Sequence, residues 1–319
     1  MKPASGRNSL RRAQPHLGTL VEIETDGGSE GARGRETQAA IDAAFAAIAR
    51  VHRLMTFHAA ESDVGRLNRA APDRAVTVDP WTWQVIETAL ALHRDSGGAF
   101  DVAVGATLQR LGRLPPDDSA PPDRPAEPRG CQALELLENR QARIRCPGLR
   151  VDLGGIAKGF AVDRAVDVLR SHGIVGGLVN AGGDLRVFGP VARRVHIRDP
   201  RRPDAMLGAI ELADGALASS TVATGLLDAA GLVIDPGRRR PVSAVLGASV
   251  RAASCLIADS LTKVVMVSGQ AAAPLLAQHQ ASALLISTTG EIFQTPDWPA
   301  AAPAPPRARD AARHAGLAL

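Results

Sequence analysis

The chain has 319 residues, 45% of them hydrophobic and 22% charged, which is enough for one large buried core or two small ones. Aromatic residues make up 3%, with no tyrosine, and this argues against the stacked-aromatic platforms that hold single-stranded nucleic acid. The net charge of +4 comes from arginines spread along the chain, and Cys131, Cys146 and Cys255 lie too far apart for a C-x-x-C zinc site or a disulfide framework.

Residues 1–14 are basic, lack the apolar core of a signal peptide, and are expected to be disordered. No run is long enough to span a membrane, so the chain as it stands reads as cytoplasmic. Leu20 to Glu24 alternates as a strand, and Gly27 to Gly34 reads as a loop. Thr37 to Met55 is an Ala-rich helix with Ile41, Phe45, Ile48 and Val51 on one face. A short strand follows at Val76 to Val78. Pro80 then opens a helix that the Gly97-Gly98 pair ends. The segment 114–130, rich in proline and charge, reads as a flexible loop. Leu134 to Leu137 and Ala142 to Arg145 read as strands that pair into the central region.

The most informative stretch runs from Val151 to Phe188. Val151 and Leu153 flank Asp152 in strand alternation, and Gly154-Gly155 turns the chain into a helix over Ala157 to His172. Gly177 to Val179 is a short strand, residues 180–184 a second tight glycine turn, and Leu185 to Phe188 a strand leaving it. A glycine turn that opens a helix is an anion site, because free N–H groups and the helix dipole point at the ligand. Lys158, one turn in, adds a cation for a phosphate. Asp152 offers acceptors to a ribose, a base or a metal. The same pattern also fits an ordinary strand-to-helix turn with a surface lysine, and its spacing matches neither G-x-G-x-x-G nor the Walker pattern.

Beyond it, Val195 to Pro200, Leu207 to Leu212 and Ala216 to Ala218 read as strands. A helix carries CLIADSLTKVVMVSG (255–269), Leu275 to Gln278 is helical, and a hairpin closes around Thr289-Gly290. Pro296 to Leu319 is Ala- and Pro-rich and is expected to be disordered.

The strings DLGGIAKGFAVDRA (152–165) and LVNAGGDLRVFG (178–189) resemble the central motif of the FAD:protein FMN transferases, the ApbE family. GGAFDVAVGATLQRLG (97–112) resembles a second motif of that family, and the resemblance extends over residues 16–293. It implies an α+β fold: a single T-fold-like domain over residues 15–295, with mixed or antiparallel sheets and packed helices. It also implies binding of FAD and Mg2+, transfer of FMN onto a Ser or Thr hydroxyl of an acceptor flavoprotein, and release of AMP. Partners are therefore FAD and that flavoprotein, with no nucleic acid.

Residue by residue, the resemblance assigns cofactor contacts to Leu17, where the family has Met, and to His58, where it has Tyr. It assigns further contacts to Ala99, Phe100, Asp101 and Ile234, and to Asp152 and Lys158. Ser62 and Asn68 keep their motif places, whereas Leu232 replaces a His and Arg238-Arg239 replace a Thr-Gly pair. Asp152, Lys158 and Asp259 are the catalytic candidates.

The implied metal ligands are Asp259, a hydroxyl four residues on, and a main-chain oxygen at Gly155. Here Lys263 holds the i+4 position and Thr262 the i+3 position, both on the face of Asp259. Three readings stand: Thr262 supplies the hydroxyl, or the Lys263 ammonium takes the metal's place, or Asp259 and Lys263 form a plain helix ion pair worth about 0.3–0.5 kcal/mol. The rival activities are hydrolysis of FAD to FMN and AMP, and a catalytically impaired FAD-binding protein.

Overall fold

Residues 9–28, 31–116, 130–222 and 232–299 are described in the computed structural model. The chain opens with a hairpin of β1 (Leu10–His16) and β2 (Thr19–Thr25), turned by Leu17 and Gly18, both at positive φ as a two-residue hairpin requires. This corrects the expectation of disorder for residues 10–14. The strand β1 pairs along its whole length, from Leu10 opposite Thr25 to His16 opposite Thr19. Arg11 reaches Glu22, Arg12 reaches Asp42, and His16 stacks on Phe45, so the charges read as a tail are strand side chains with partners.

The helix α1 (Gly31–Met55) starts inside the stretch expected as a loop. Next come α2 (Asp63–Arg69), capped by Ser62, then β3 (Val76–Thr77) and α3 (Pro80–Asp95), capped by Asp79. After α4 (Gly105–Arg110) come β4 (Leu134–Leu137) and β5 (Gln141–Ile144). These two strands join β3 in a separate three-stranded sheet, in the order β3-β5-β4, and not the central region as the sequence suggested.

The helix α5 (Ala157–Ser171) leads to β6 (Gly177–Ala181) and β7 (Asp184–Phe188). Then follow the hairpin β8 (Arg193–Asp199) and β9 (Arg202–Leu212), and β10 (Gly215–Thr221). The short pair β11 (Ile234–Asp235) and β12 (Arg240–Pro241) precedes β13 (Val245–Ala252) and α6 (Cys255–Ser268). The chain then forms α7 (Ala273–Gln278), β14 (Ser282–Ser287) and β15 (Ile292–Gln294).

The main sheet has eight strands in the order β1-β2-β6-β7-β10-β13-β14-β15, every neighbouring pair antiparallel. On one face α1 packs on α5, α5 on α6, and α6 on β10 and β13. Ile41, Ile48, Phe160, Leu169 and Leu261 seal that layer. A second cluster on β7–β10 and β14 includes Leu185, Val187, Ile197, Ile210 and Ile286. Trp298 packs into this second cluster at 6% exposure, which corrects the expectation that order ends at residue 295. The proline-rich segment falls mostly at 117–129, outside the described residues, as do residues 1–8 and 300–319.

Register explains why one end of the sheet is chemically dense. Val21 lies opposite Ala181, and Leu217 opposite Leu185. The hairpin turn at Leu17-Gly18, the turn at Gly182-Gly183 and the end of β10 therefore gather at one edge. An added Cβ on Gly182 would sit 2.4 Å from Thr19 Oγ1, so only glycine lets the first two of these meet.

Candidate active site

The segment Val151–Leu153 is extended but belongs to no sheet, which corrects its reading as a strand. A side chain replaces the missing neighbour. Asn68 Nδ2 donates to the Val151 carbonyl at 2.8 Å, and the Val151 N–H donates to Asn68 Oδ1 at 2.7 Å. The Asp152 N–H then donates to the Val102 carbonyl at 2.8 Å. Val151 and Leu153 are fully buried, which accounts for the apolar alternation without a ladder. Asp152 is half-buried and accepts from the Gly154 N–H at 3.2 Å. Burial pushes its carboxyl above the ordinary carboxylate value, partly offset by Gly154 and by the charge of His58.

Gly154-Gly155 turns this segment into α5, and α5 crosses α6 at contact distance. A Cβ on Gly159 would meet the Cys255 carbonyl oxygen at 2.2 Å and Asp259 Cβ at 2.8 Å. The crossing lets the Gly159 N–H donate to Asp259 Oδ2 at 3.0 Å. Asp163, one turn further along α5, accepts from the first N–H groups of α6: Cys255 at 3.0 Å and Leu256 at 2.9 Å. It also pairs with Arg186 at 2.7 Å. A buried carboxylate at a helix N-terminus suits the dipole there and locks the two helices together.

The Gly182-Gly183 turn delivers Asp184 to the same place. Lys158 Nζ donates to Asp184 Oδ2, and the Ser219 N–H donates to Asp184 Oδ1 at 3.3 Å. Burial pulls the Lys158 ammonium down, but Asp184 and then Asp259 outweigh it and hold the group above the ordinary lysine value. Burial, and then the neighbouring Asp259, push the Asp184 carboxyl up. Asp184 was legible only as part of a turn.

On α6, Lys263 Nζ donates to Asp259 Oδ1 and also to the Asp259 backbone carbonyl at 3.0 Å. The Thr262 hydroxyl donates to that carbonyl at 2.7 Å, so its 2.7 Å contact with Ser220 Oγ is one in which Ser220 donates. Asp259 and Thr262 are wholly buried. The Lys263 stem lies against Gly155, whose added Cβ would be 3.5 Å from Lys263 Cε. Gly155, Lys158, Asp259, Thr262 and Lys263 thus converge, and Asp184 and Ser220, which motif matching passed over, complete the cluster.

Whether these groups fit Mg2+ is a question of donor chemistry. A magnesium ion needs near-octahedral oxygen ligands. Both carboxylate oxygens of Asp259 accept from N–H groups of the protein, and the Thr262 hydroxyl is engaged on both sides. The Lys263 ammonium already neutralises Asp259, so the set does not fit the ion. A His93–Asp101–Cys131 group with ligand-like spacing is likewise closed. The His93 Nδ1–H donates to the Phe100 carbonyl at 3.0 Å, and the Cys131 thiol, pushed up by burial and then by Asp101, donates to Asp101 Oδ1 at 2.7 Å.

Among the described residues, the remaining candidates make no hydrogen bond or ion pair with the clustered charges. Asp101 also accepts from Ala103 N–H at 2.7 Å; Phe100 is buried and Ala99 packs beside it. His58 lines a cavity of about 520 Å³ with Phe57, Asn68, Arg69, Cys146 and Arg150, and none of the four clustered charges lines it. Leu17 sits at the hairpin turn beside the Gly182-Gly183 edge. Ile234 is buried in the β11–β12 pair, whose Asp235 and Pro241 face Met266 and Ser268 at the far end of α6 across a cavity of about 220 Å³.

Known proteins share this fold. The family model described as ApbE family matches residues 17–286. An FAD:protein FMN transferase of Rhodobacter capsulatus is 31% identical over 299 residues, covering 88% of this chain and 56% of that protein. Its counterpart from Vibrio cholerae serotype O1 is 30% identical over 261 residues, covering 76% of this chain and 78% of the other. The crystal structure of the ApbE protein of Thermotoga maritima superposes with a TM-score of 0.76 at 25% identity, over 90% of this chain and 97% of that one. The flavin transferase ApbE of Vibrio cholerae does so with a TM-score of 0.76 at 26% identity, over 91% and 97%. A family match over most of the chain, together with a shared fold, leads to one conclusion: this protein belongs to the ApbE family.

Proposed function

We propose that the protein is an FAD:protein FMN transferase. It moves FMN from FAD onto a Ser or Thr hydroxyl of an acceptor flavoprotein and releases AMP. The observation that supports this most directly is the convergence of the Gly154-Gly155 and Gly182-Gly183 turns on Lys158, Asp184 and Asp259.

In the reaction the acceptor hydroxyl oxygen forms a bond to the FMN phosphorus, and the bond from that phosphorus to the bridging oxygen breaks. The bridging oxygen leaves with AMP. Lys158, held protonated by Asp184 and Asp259, faces charge that grows on the phosphate oxygens. The hydroxyl proton passes to Asp152, whose raised pKa suits a general base and whose carboxylate accepts, among the described residues, from the Gly154 N–H alone. Asp259 is less suited to that task because both its oxygens are engaged. The family resemblance implies Mg2+, which Asp259, Thr262 and the Gly155 main chain would hold to neutralise the diphosphate. Since these residues do not fit the ion, no step here is assigned to it.

The test is direct. Purified protein is mixed with FAD, Mg2+ and a flavin-acceptor domain, and a denaturing gel is read for covalent flavin fluorescence. A labelled acceptor is expected; no label, beside a relative that does label it, removes the proposal. The Asp259–Lys263 pair favours one alternative, an FAD-binding protein of impaired catalysis, which would retain FAD and release no AMP. AMP released without any acceptor would instead mark an FAD pyrophosphatase.

A further inference from the structure

We propose that Lys263 holds the place of a divalent cation, so that the protein grips the diphosphate of a flavin dinucleotide without a metal. This rests on the flavin reading above and specifies what fills its central charge position.

Three observations carry it. The first is occupancy. Lys263 Nζ donates to Asp259 Oδ1 and to the Asp259 carbonyl at 3.0 Å, and Thr262 donates to that same carbonyl at 2.7 Å. Both carboxylate oxygens and the carbonyl of Asp259 face proton donors instead of an ion. The second is burial. Plain i,i+4 ion pairs are solvated decorations of a helix surface, whereas here the Asp259 side chain is 0% exposed and that of Lys263 18%. A carboxylate so deep needs a counter-charge, and Lys263 is the one in contact with it. The third is charge balance. Lys158 and Lys263 offset Asp184 and Asp259, so the cluster is neutral before a ligand arrives. With threonine at 263 the same cluster would carry one net negative charge and would need an ion to receive a diphosphate.

The ammonium also has the right donor count. Two of its three N–H groups go to Asp259, and among the described residues the third has no partner, which leaves it for a phosphate oxygen. The Lys263 stem passes Gly155, so that third donor lies beside the turn whose backbone would meet the same phosphate. An ammonium supplies charge but no fixed octahedral geometry, so it serves binding better than it orients two oxygens for transfer.

The experiment titrates the full-length chain with FAD, read by flavin fluorescence, in EDTA and in Mg2+, and separately titrates it with Mn2+ read by electron paramagnetic resonance. The wild type is expected to bind FAD with affinities within about twofold in the two buffers and to bind no Mn2+, because its cation is covalent. Lys263→Thr is expected to bind FAD at least about tenfold more weakly in EDTA, to recover in Mg2+, and to gain Mn2+ binding. Lys263→Met, which supplies neither charge nor hydroxyl, loses affinity in both buffers and serves if the threonine variant does not fold. Wild-type FAD binding that collapses about tenfold in EDTA overturns the assignment, as does Mn2+ binding by the wild type. No FAD bound by any of the proteins in either buffer overturns the flavin reading itself, an outcome distinct from metal-dependent binding.

Discussion

Lys158 on α5 and Asp184 on β7 form an ion pair across the helix–sheet boundary, and the Ser219 N–H holds the second carboxylate oxygen at 3.3 Å. Asp184 is 2% exposed in its side chain, while Lys158 keeps 33% of its own in solvent, so the anion is sealed and the cation faces outward. The cluster is therefore polarised: its negative charges are used up inside, and its positive ends are presented to a ligand.

Lys158→Met leaves Asp184 buried without its cation. Breaking such a pair costs several kcal/mol, and the partial exposure of Lys158 places the expected loss at about 3 kcal/mol. Chemical denaturation should show the double variant Lys158→Met/Asp184→Asn to be less destabilised than the sum of its parts, because both charges are gone. Additive losses would mean that the two side chains do not interact.

Gly159→Ala forces a methyl group to 2.2 Å from the Cys255 carbonyl. Backbone cannot give way as a flexible side chain does, so α5 and α6 must part, at a cost of about 3 kcal/mol or more. A melting temperature unchanged from wild type would show that the crossing is looser than described. Flavin binding should fall as well, since Asp259 loses its bond from the Gly159 N–H.

Asn68→Ala removes both bonds to Val151 and strands a buried N–H and a buried carbonyl. Each unsatisfied group costs about 1–3 kcal/mol, and about 2–4 kcal/mol in total is expected. Asn68→Asp should not rescue it, because a carboxylate oxygen then faces the Val151 carbonyl. If either variant melts like wild type, the side chain is not the partner of the glycine-turn segment.

Asp199 is held at about 2 by hydrogen bonds from Arg201, against an ordinary value of 3.8. A lowered folded-state pKa contributes stability that is complete above pH 4 or so and is lost as pH falls through 3.8 toward 2. Because Arg201 is 35% exposed, solvent screening limits this to about 1 kcal/mol. Denaturation between pH 5 and pH 2 should show this loss in the wild type and not in Asp199→Asn.

If Asp152 takes the acceptor proton, the transfer rate should rise with pH along a limb set above the ordinary carboxylate range, the direction in which burial moves it. Asp152→Asn should abolish the limb together with most of the rate. A rate flat with pH through that range would remove Asp152 as the base.

Much of the fold was legible locally. The apolar face of α1, the proline start and glycine stop of α3, and the α5 helix with its flanking glycines all follow from spacing. Other elements were not, for reasons tied to particular residues. Leu10–His16 reads as a charged tail because strand pairing with β2 lies outside its own pattern. Val151–Leu153 reads as a strand because burial on both sides produces strand alternation, although its hydrogen-bond partner is Asn68, 83 residues earlier. The β4 and β5 strands were visible, but the sheet they join was not, since periodicity does not name a neighbour.

The sequence by itself determined which residue types stand at which local offsets: two glycine turns, a lysine one turn into a helix, and an aspartate four residues before a lysine. Only the tertiary structure decided which charges meet. Lys158 finds Asp184 across 26 residues, and Gly159 finds Asp259 across 100, because α5 packs on β6 and β7 and against α6 beside it. Local spacing sets the direction of a side chain on its own element; the identity of what it touches comes from how burial of apolar faces stacks one element on another.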